Sequence, residues 1–277
     1  MMAMFLKLEA SAPELPDFMV WSSVEQLPLW WQPFHSLTLT LLFIVVLPSV
    51  LAYLFAYAIF KKRVGGVYFA IVTLSLALTG TVLIVGQQGE TGGANGITDF
   101  RTLLGLDIVG DDAKQTLYLV EVVVLAVAMV LSMVLMRSRF GKVLIAIRDK
   151  EDRVRFSGYN TAHMKAFVFA ISALLSSIGG AFYSLQVGLI SPTAVGVVAS
   201  IEMVIYAAVG GRLSIPGAVI GALLVGFLKS YLSEAFPEIW LYFLGALFIA
   251  VVAFMPLGIA GVFHRLTSDR ELRGANP

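Results

Sequence analysis

The chain has 277 residues, 58% of them hydrophobic and 13% charged, with a mean hydropathy of +0.88. A soluble domain carries roughly twice that share of charge, so the composition is that of a protein that crosses a membrane several times. A net charge of +1 supplies no basic field for nucleic acid, and the absence of cysteine excludes disulfides and thiolate metal sites.

Residues 1–36 contain no long apolar stretch and do not read as a signal peptide. A helix rising about 1.5 Å per residue needs roughly 20 apolar residues to cross about 30 Å of hydrocarbon. Residues 37–60, 67–86, 117–136, 166–187 and 239–255 meet that requirement. Residues 197–210 and 215–232 form two shorter apolar segments, joined by the breaker-rich "GGRLSIPGA". The first of these is too short to cross comfortably. Broken helices of this kind belong where backbone is buried in protein or lines a watery path. The fold class is therefore all-α: a polytopic membrane protein of about six to seven transmembrane segments, one of them short or re-entrant.

Alternating these segments gathers 15 of the 19 Lys and Arg residues on one side and leaves Lys7, Arg101, Lys114 and Lys229 on the other. Basic residues favour the cytoplasmic side, which places the N-terminus outside and the C-terminus in the cytoplasm. On that reading residues 1–36 are an extracytoplasmic segment and residues 37–262 the transmembrane domain. Within the latter, 87–116 is an outer loop and 137–163 a cytoplasmic one, and residues 263–277 form a cytoplasmic tail.

The outer loop begins "QQGETGGANGITDF", with Gly92, Gly93, Asn95, Gly96 and Asp99 close together. No GxxxxGK[ST] occurs, so nucleotide binding is not supported. The Gly-dense start reads as a tolerant surface loop or as a shaped mouth that receives a substrate or partner.

The next polar stretch is "SRFGKVLIAIRDKEDRVRFSGYN". Phe140, Val143, Leu144 and Ile147 recur at i, i+3, i+4 and i+7, one stripe of a helix that also contains Gly141. Arg148, Asp149, Lys150 and Arg153 lie off the stripe, and Gly158 with Asn160 marks a stop. Such a helix either lies on acidic headgroups or docks a cytoplasmic partner.

Within the spans, Ser172 and Ser176 form a small polar face with Gly179 and Gly180. That is the signature of a helix-packing seam or of a substrate path. Glu202 is an acid inside an apolar segment, where a carboxylate is costly and usually faces a cavity or a partner. Gly210 and Gly211 suit a bend, Pro216 suits the first turn of the next helix, and Gly217 with Gly221 makes a GxxxG close-packing signal. The three histidines are too widely spaced to suggest a metal motif.

Several stretches in order resemble the permease subunits of ATP-binding cassette importers of the branched-chain amino acid class. "SRFGKVLIAIRDKEDRVRFSGYNTAHMKAFVFAISALLSSIGGAFY" looks like their cytoplasmic loop and following span, and "SIEMVIYAAVGGRLSIPGAVIGA" looks like their second-half glycine motif. "GGANGITDF" and "SEAFPEIWLYFLGALFIAVVAFMPLGIAG" resemble the urea-type branch of that class, as does "PDFMVWSSVEQLPLWW" in style. The resemblance covers residues 16–261.

It implies a multi-pass subunit of a bacterial inner membrane with neither ATPase activity nor a cofactor of its own. Its partners would be a second permease subunit in a heterodimer, two ATPase subunits and an extracytoplasmic substrate-binding protein. It assigns ATPase coupling to the helix of Phe140, Gly141, Val143, Leu144, Ile147, Arg148, Asp149 and Arg153. The substrate would be urea, or alternatively a branched-chain amino acid. A fixed Lys or Arg mid-membrane is absent from this reading, which suits neutral urea. A stand-alone channel or secondary transporter would need no docking helix and would place an ionisable group near the midplane. The family pattern has further spans and an "SLGHGAFF"-like motif ahead of this region. No counterpart occurs here, so the chain is expected to lack the family's N-terminal spans.

Overall fold

The computed structural model describes residues 1–255 and 257–261. It parts into two units, Met1–Val197 and a second that begins at Val198. The expected cytoplasmic tail, residues 263–277, lies outside the described residues.

The first unit contains α1 (Met2–Ser11), α2 (Asp17–Trp21), α3 (Leu37–Lys61), α4 (Val67–Gly86) and the short α5 (Gln88–Thr91). It continues with α6 (Asp111–Arg137), α7 (Arg139–Phe156) and α8 (Thr161–Val187). Two minimal antiparallel ladders stitch its loops: β1 (Ile97–Thr98) pairs with β4 (Leu189–Ile190), and β2 (Thr102–Leu103) with β3 (Leu106–Asp107). The second unit contains all but the first residue of α9 (Val197–Gly210), together with α10 (Ile215–Ala235) and α11 (Trp240–Phe254).

Five of these helices, α3, α4, α6, α8 and α10, are long and apolar enough to span a bilayer. The protein is thus a polytopic all-α membrane protein. Two segments differ from the sequence expectation. Residues 215–232, read as short, belong to a 21-residue helix. Ser214 caps its start by accepting from the Gly217 N–H at 3.1 Å, and the helix runs on through Ser233 and Glu234, where hydropathy fades but helix propensity does not. Residues 239–255, read as a full span, form a helix of only 15 residues. Pro237 stands ahead of it and Pro256 behind, and a proline disfavours helical backbone at the residue before it.

No residue of α4 or α6 is buried, and both expose much of their apolar surface. The core of the first unit lies elsewhere, around Leu6, Met19 and Trp31, all fully buried, with Phe34, Ile44, Phe100, Ile108 and Leu185. Residues 1–36 therefore belong to this core. The apolar α1 buries even Lys7, whose ammonium reaches the Asp17 carboxylate at 3.0 Å, and Glu9 accepts from the Gly105 N–H at 2.7 Å. Buried charge of this kind is tolerated only when paired.

Candidate functional site

The glycine motif brings two backbones into direct contact. A methyl group added at Gly210 would overlap the Gly217 carbonyl oxygen, and one at Gly221 would stand 2.6 Å from the Gly210 Cα. Only glycine lets the end of α9 lie this close to the start of α10. Gly211 then turns the chain at φ +125°, a conformation that side chains rarely adopt, and Pro216 sits in the first turn of α10. The turn around Gly258 (φ +66°) closes over the same point, with its neighbour Ala260 placing a Cβ where a Gly211 methyl would come within 2.9 Å. Gly258 was not legible as part of this contact. Its one sequence signal is a glycine two residues after Pro256.

Glu202 lies within α9, only 7% exposed. Lys229 of α10 donates to its Oε2 at 2.7 Å, the Tyr206 hydroxyl donates to the same oxygen at 3.3 Å, and the ammonium lies 5.1 Å over the Trp240 ring. Lys229, read from the sequence as lying on the outer side, is carried on α10, a helix long and apolar enough to span, and it pairs with Glu202; removing either charge would leave the other unpaired in a low dielectric. Ser172 and Ser176 belong to α8 in the first unit and are exposed there, and the Ser172 hydroxyl donates back to its own helix at the Val168 carbonyl.

The loop of residues 87–116 is more tightly built than a tolerant surface loop. Gly92, Gly93 and Gly96 are buried, with φ of +77°, +57° and +75°. A methyl at Gly92 would overlap the Gly96 carbonyl, and one at Gly96 the Ile190 carbonyl. Asn95 and Asp99 remain exposed, the latter at φ +61°. The two tryptophans at 30 and 31 hold the loop's α5 end, with indole N–H groups donating to the Glu90 carboxylate at 2.7 Å and the Glu90 carbonyl at 3.0 Å.

In the loop between α6 and α8, Ser138 caps α7 by accepting from the Gly141 N–H at 3.3 Å. Gly141 is buried, and a methyl there would overlap the Met136 carbonyl, so glycine lets α7 fold tightly off the end of α6. The apolar stripe faces the protein's own helices. Ile147 is 6% exposed, Phe140 sets its ring edge-on to Phe167 of α8 at 5.4 Å, and Val143 and Leu144 are half-buried. The stripe that the resemblance assigns to ATPase coupling thus also helps to seat α7, through Phe140 and Ile147. What α7 shows to solvent is Arg148 paired with Asp149 at 3.0 Å, Lys150, Arg153 and the almost fully exposed ring of Phe156.

The helix breaks at Lys150 (φ −152°, ψ 85°), and its second part is tied down by Glu151, which pairs with Arg155 at 3.2 Å and with Lys165. Partial burial alone would raise the Glu151 pKa. Hydrogen bonding and charge from Lys165, aided by Thr161 and Arg155, outweigh it and hold the carboxyl below its usual value. No group of His, Asp or Glu among the described residues is arranged to hold a metal.

Comparison with known proteins places this geometry in context. The family described as the branched-chain amino acid transport system, permease component, matches residues 15–252. The chain is 31% identical over 144 residues to the high-affinity branched-chain amino acid transport system permease protein BraD of Pseudomonas aeruginosa, covering 52% of this chain and 47% of that one. To the LivM permease protein of the corresponding Escherichia coli system it is 24% identical over 219 residues, 71% of this chain and 51% of the other. To the xylose transport system permease protein XylH of Haemophilus influenzae it is 34% identical over 140 residues, 47% and 37% of the two chains. The chain thus spans about half the length or less of these relatives. No solved structure matches.

Proposed function

Because the chain belongs to the permease-component family of branched-chain amino acid transport systems, we propose that it is a membrane subunit of an ATP-driven importer in which ATP hydrolysis resides in partner subunits. The partners of this reading are a second permease subunit, two ATP-binding cassette ATPases and an extracytoplasmic binding protein. With the N-terminus outside, α7 lies in the cytoplasm. The observation that carries the reading is the two-sided build of α7. Its apolar face is fastened to α6 and α8, and its outer face offers Arg148, Asp149, Arg153 and Phe156. A helix held rigidly on one side and charged on the other can pass a partner's motion to the spans it is seated on.

Two substrates compete. Urea rests on the resemblance of the outer loop and C-terminal stretches to the urea-type branch. A branched-chain amino acid rests on the relatives BraD and LivM, and the Glu202–Lys229 pair favours it further, since fixed charge does reside within these helices. The test of the coupling role is co-purification through a tag on this chain, expressed with its transport partners. Arg153→Glu combined with Phe156→Asp is expected to lose the ATPase subunits while membrane abundance is unchanged. Stoichiometric ATPase in that variant would remove α7 as the coupling element.

A further inference from the structure

A concave site lies within the first unit. It is a cavity of about 370 Å³ at the junction of the α3 end with the turn between α7 and α8. Tyr57, Lys61, Arg63, Arg155, Tyr159 and Asn160 are among its lining residues. We propose that this cavity binds a phosphate ester anion, presented by the headgroup of an anionic phospholipid.

Charge is the first argument. Arg155 shares its guanidinium with Glu151 and Asp152, but no carboxylate among the described residues forms an ion pair with Lys61 or Arg63. The Lys61 ammonium instead rests 5.6 Å over the Tyr57 ring. Glu151 cannot neutralise the cavity, because it is already engaged by Lys165 and Arg155. Two cations without carboxylate partners, with phenol hydroxyls beside them that can donate, suit a cluster of phosphate oxygens. The wall is also stiff. Tyr57 stacks on His163 with ring centroids 4.3 Å apart, and the ring Nδ1 of His163 shares a hydrogen with the Tyr53 hydroxyl at 2.5 Å.

The backbone gives a second, independent argument. Helix α3 ends with the Val64 N–H donating to the Ile59 carbonyl at 3.3 Å and the Arg63 N–H to the Phe60 carbonyl at 3.0 Å. This paired closure puts Arg63 at the left-handed position, where its φ is +61° and where glycine is the usual occupant. Across the same cavity α7 ends with the same closure, Tyr159 to Val154 at 3.4 Å and Gly158 to Arg155 at 3.0 Å, and there the position is filled by Gly158 at φ +87°. One lip of the cavity obeys the backbone preference. The other sets an arginine against it, which is the pattern of a side chain held for its own use.

Depth is the third argument. Lys61 is the last residue of the 25-residue α3, and Thr161 opens the 27-residue α8. The cavity therefore lies at the edge of the hydrocarbon, at the height of headgroup phosphates. Tyr159, on its wall, stands about half exposed, as aromatic residues do at that interface. Basic pockets between spans at this level are recognition sites for anionic headgroups.

The test uses the full chain, purified in detergent and stripped of lipid. Native mass spectrometry would count adducts on titration with phosphatidylglycerol, with phosphatidylcholine as the zwitterionic control and glycerol 3-phosphate as the soluble arm. The wild type should bind phosphatidylglycerol in preference to phosphatidylcholine. Arg63→Gly should weaken this by about tenfold or more with the melting temperature unchanged or raised, because glycine relaxes the turn. Lys61→Gln should weaken it as well, and Lys114→Gln should not. Glycerol 3-phosphate binding with the same dependence on Arg63 would keep the phosphate site and assign it a soluble ester. Equal phosphatidylglycerol binding by the wild type and Arg63→Gly would overturn the proposal. So would release of a protein partner by Arg63→Gly with lipid binding intact.

Discussion

Gly221 and Gly226 lie on the same helix, five residues apart, in quite different surroundings. A methyl at Gly221 meets the backbone of α9, whereas nothing stands within 4 Å of one at Gly226. Gly221→Ala is therefore expected to cost about 2 kcal/mol or more by overpacking, and Gly226→Ala to be neutral or to gain up to about 1 kcal/mol from helix propensity. Thermal unfolding of the two variants in detergent decides between this and a glycine pattern that is incidental. The Glu202–Lys229 pair makes a sharper case. Lys229→Met strands a buried carboxylate and should cost about 3 kcal/mol, while Glu202→Gln with Lys229→Met should cost clearly less than that single change. A double variant as unstable as the sum of its parts would show that the two groups do not interact. At this scale the sequence was partly legible. Spacing alone showed that Gly217 and Gly221 wanted a close neighbour. The pairing of Lys229 with Glu202 joins residues 27 apart across a bend, and no local pattern encodes that.

At the scale of elements, α7 shows what periodicity can and cannot say. The i, i+3, i+4, i+7 stripe identified an amphipathic helix, and the helix is there. Periodicity defines an apolar face without naming what covers it, and here the cover is the chain's own α8, through Phe140 on Phe167. Ile147→Asp should consequently unseat α7 from its own body, seen as fast amide exchange across residues 139–156. The exposed pair of changes at Arg153 and Phe156 should leave exchange slow. Faster exchange in the exposed variant alone would reverse the assignment of faces.

Glu151 adds a pH dependence to the same element. Its folded pKa lies below the usual carboxylate value of 4.5, so its stabilising contribution is complete above that value and is lost as pH falls through the lowered folded one. Amide protection in residues 151–165, taken as exchange relative to the intrinsic rate at each pH, should thus hold at neutral pH and fall on acidification below about 4.5. In Glu151→Gln it should be reduced already at neutral pH. An acid-insensitive wild type would mean that the Glu151–Lys165 tie does not hold the turn. The ends of α10 and α11 depart from the hydropathy pattern for a related reason: hydropathy tracks lipid exposure, whereas a helix ends where caps and prolines end it.

For the whole molecule, composition alone was enough to establish a polytopic helical membrane protein, since so little charge on so long a chain leaves few alternatives. The core was less legible. Residues 1–36 read in sequence as a polar-studded extracytoplasmic segment, yet Leu6, Met19 and Trp31 fill the first unit. Their partners are scattered through α3, the loop of residues 87–116 and α8, and only tertiary contact joins them. The topology proposal is directly testable because the chain has no cysteine. Cysteines placed at the exposed Asn95 and Asp111 should react with an impermeant maleimide in intact cells, and one at Asp152 only after lysis. Labelling of Asp152 in intact cells would invert the orientation and remove α7 from the cytoplasm.

The central claim is that this subunit works in ATP-driven import, and transport itself tests it most directly. The complex purified through a tag on this chain would be reconstituted into proteoliposomes, with ATP on the ATPase side and the binding protein on the other. Uptake of radiolabelled urea and radiolabelled leucine would then be measured with and without ATP. The account predicts that one of the two accumulates against its gradient only when ATP is present, and that Arg153→Glu with Phe156→Asp abolishes the accumulation. Equilibration of solute at the same rate without ATP, unaffected by those changes, would contradict it and identify a channel instead.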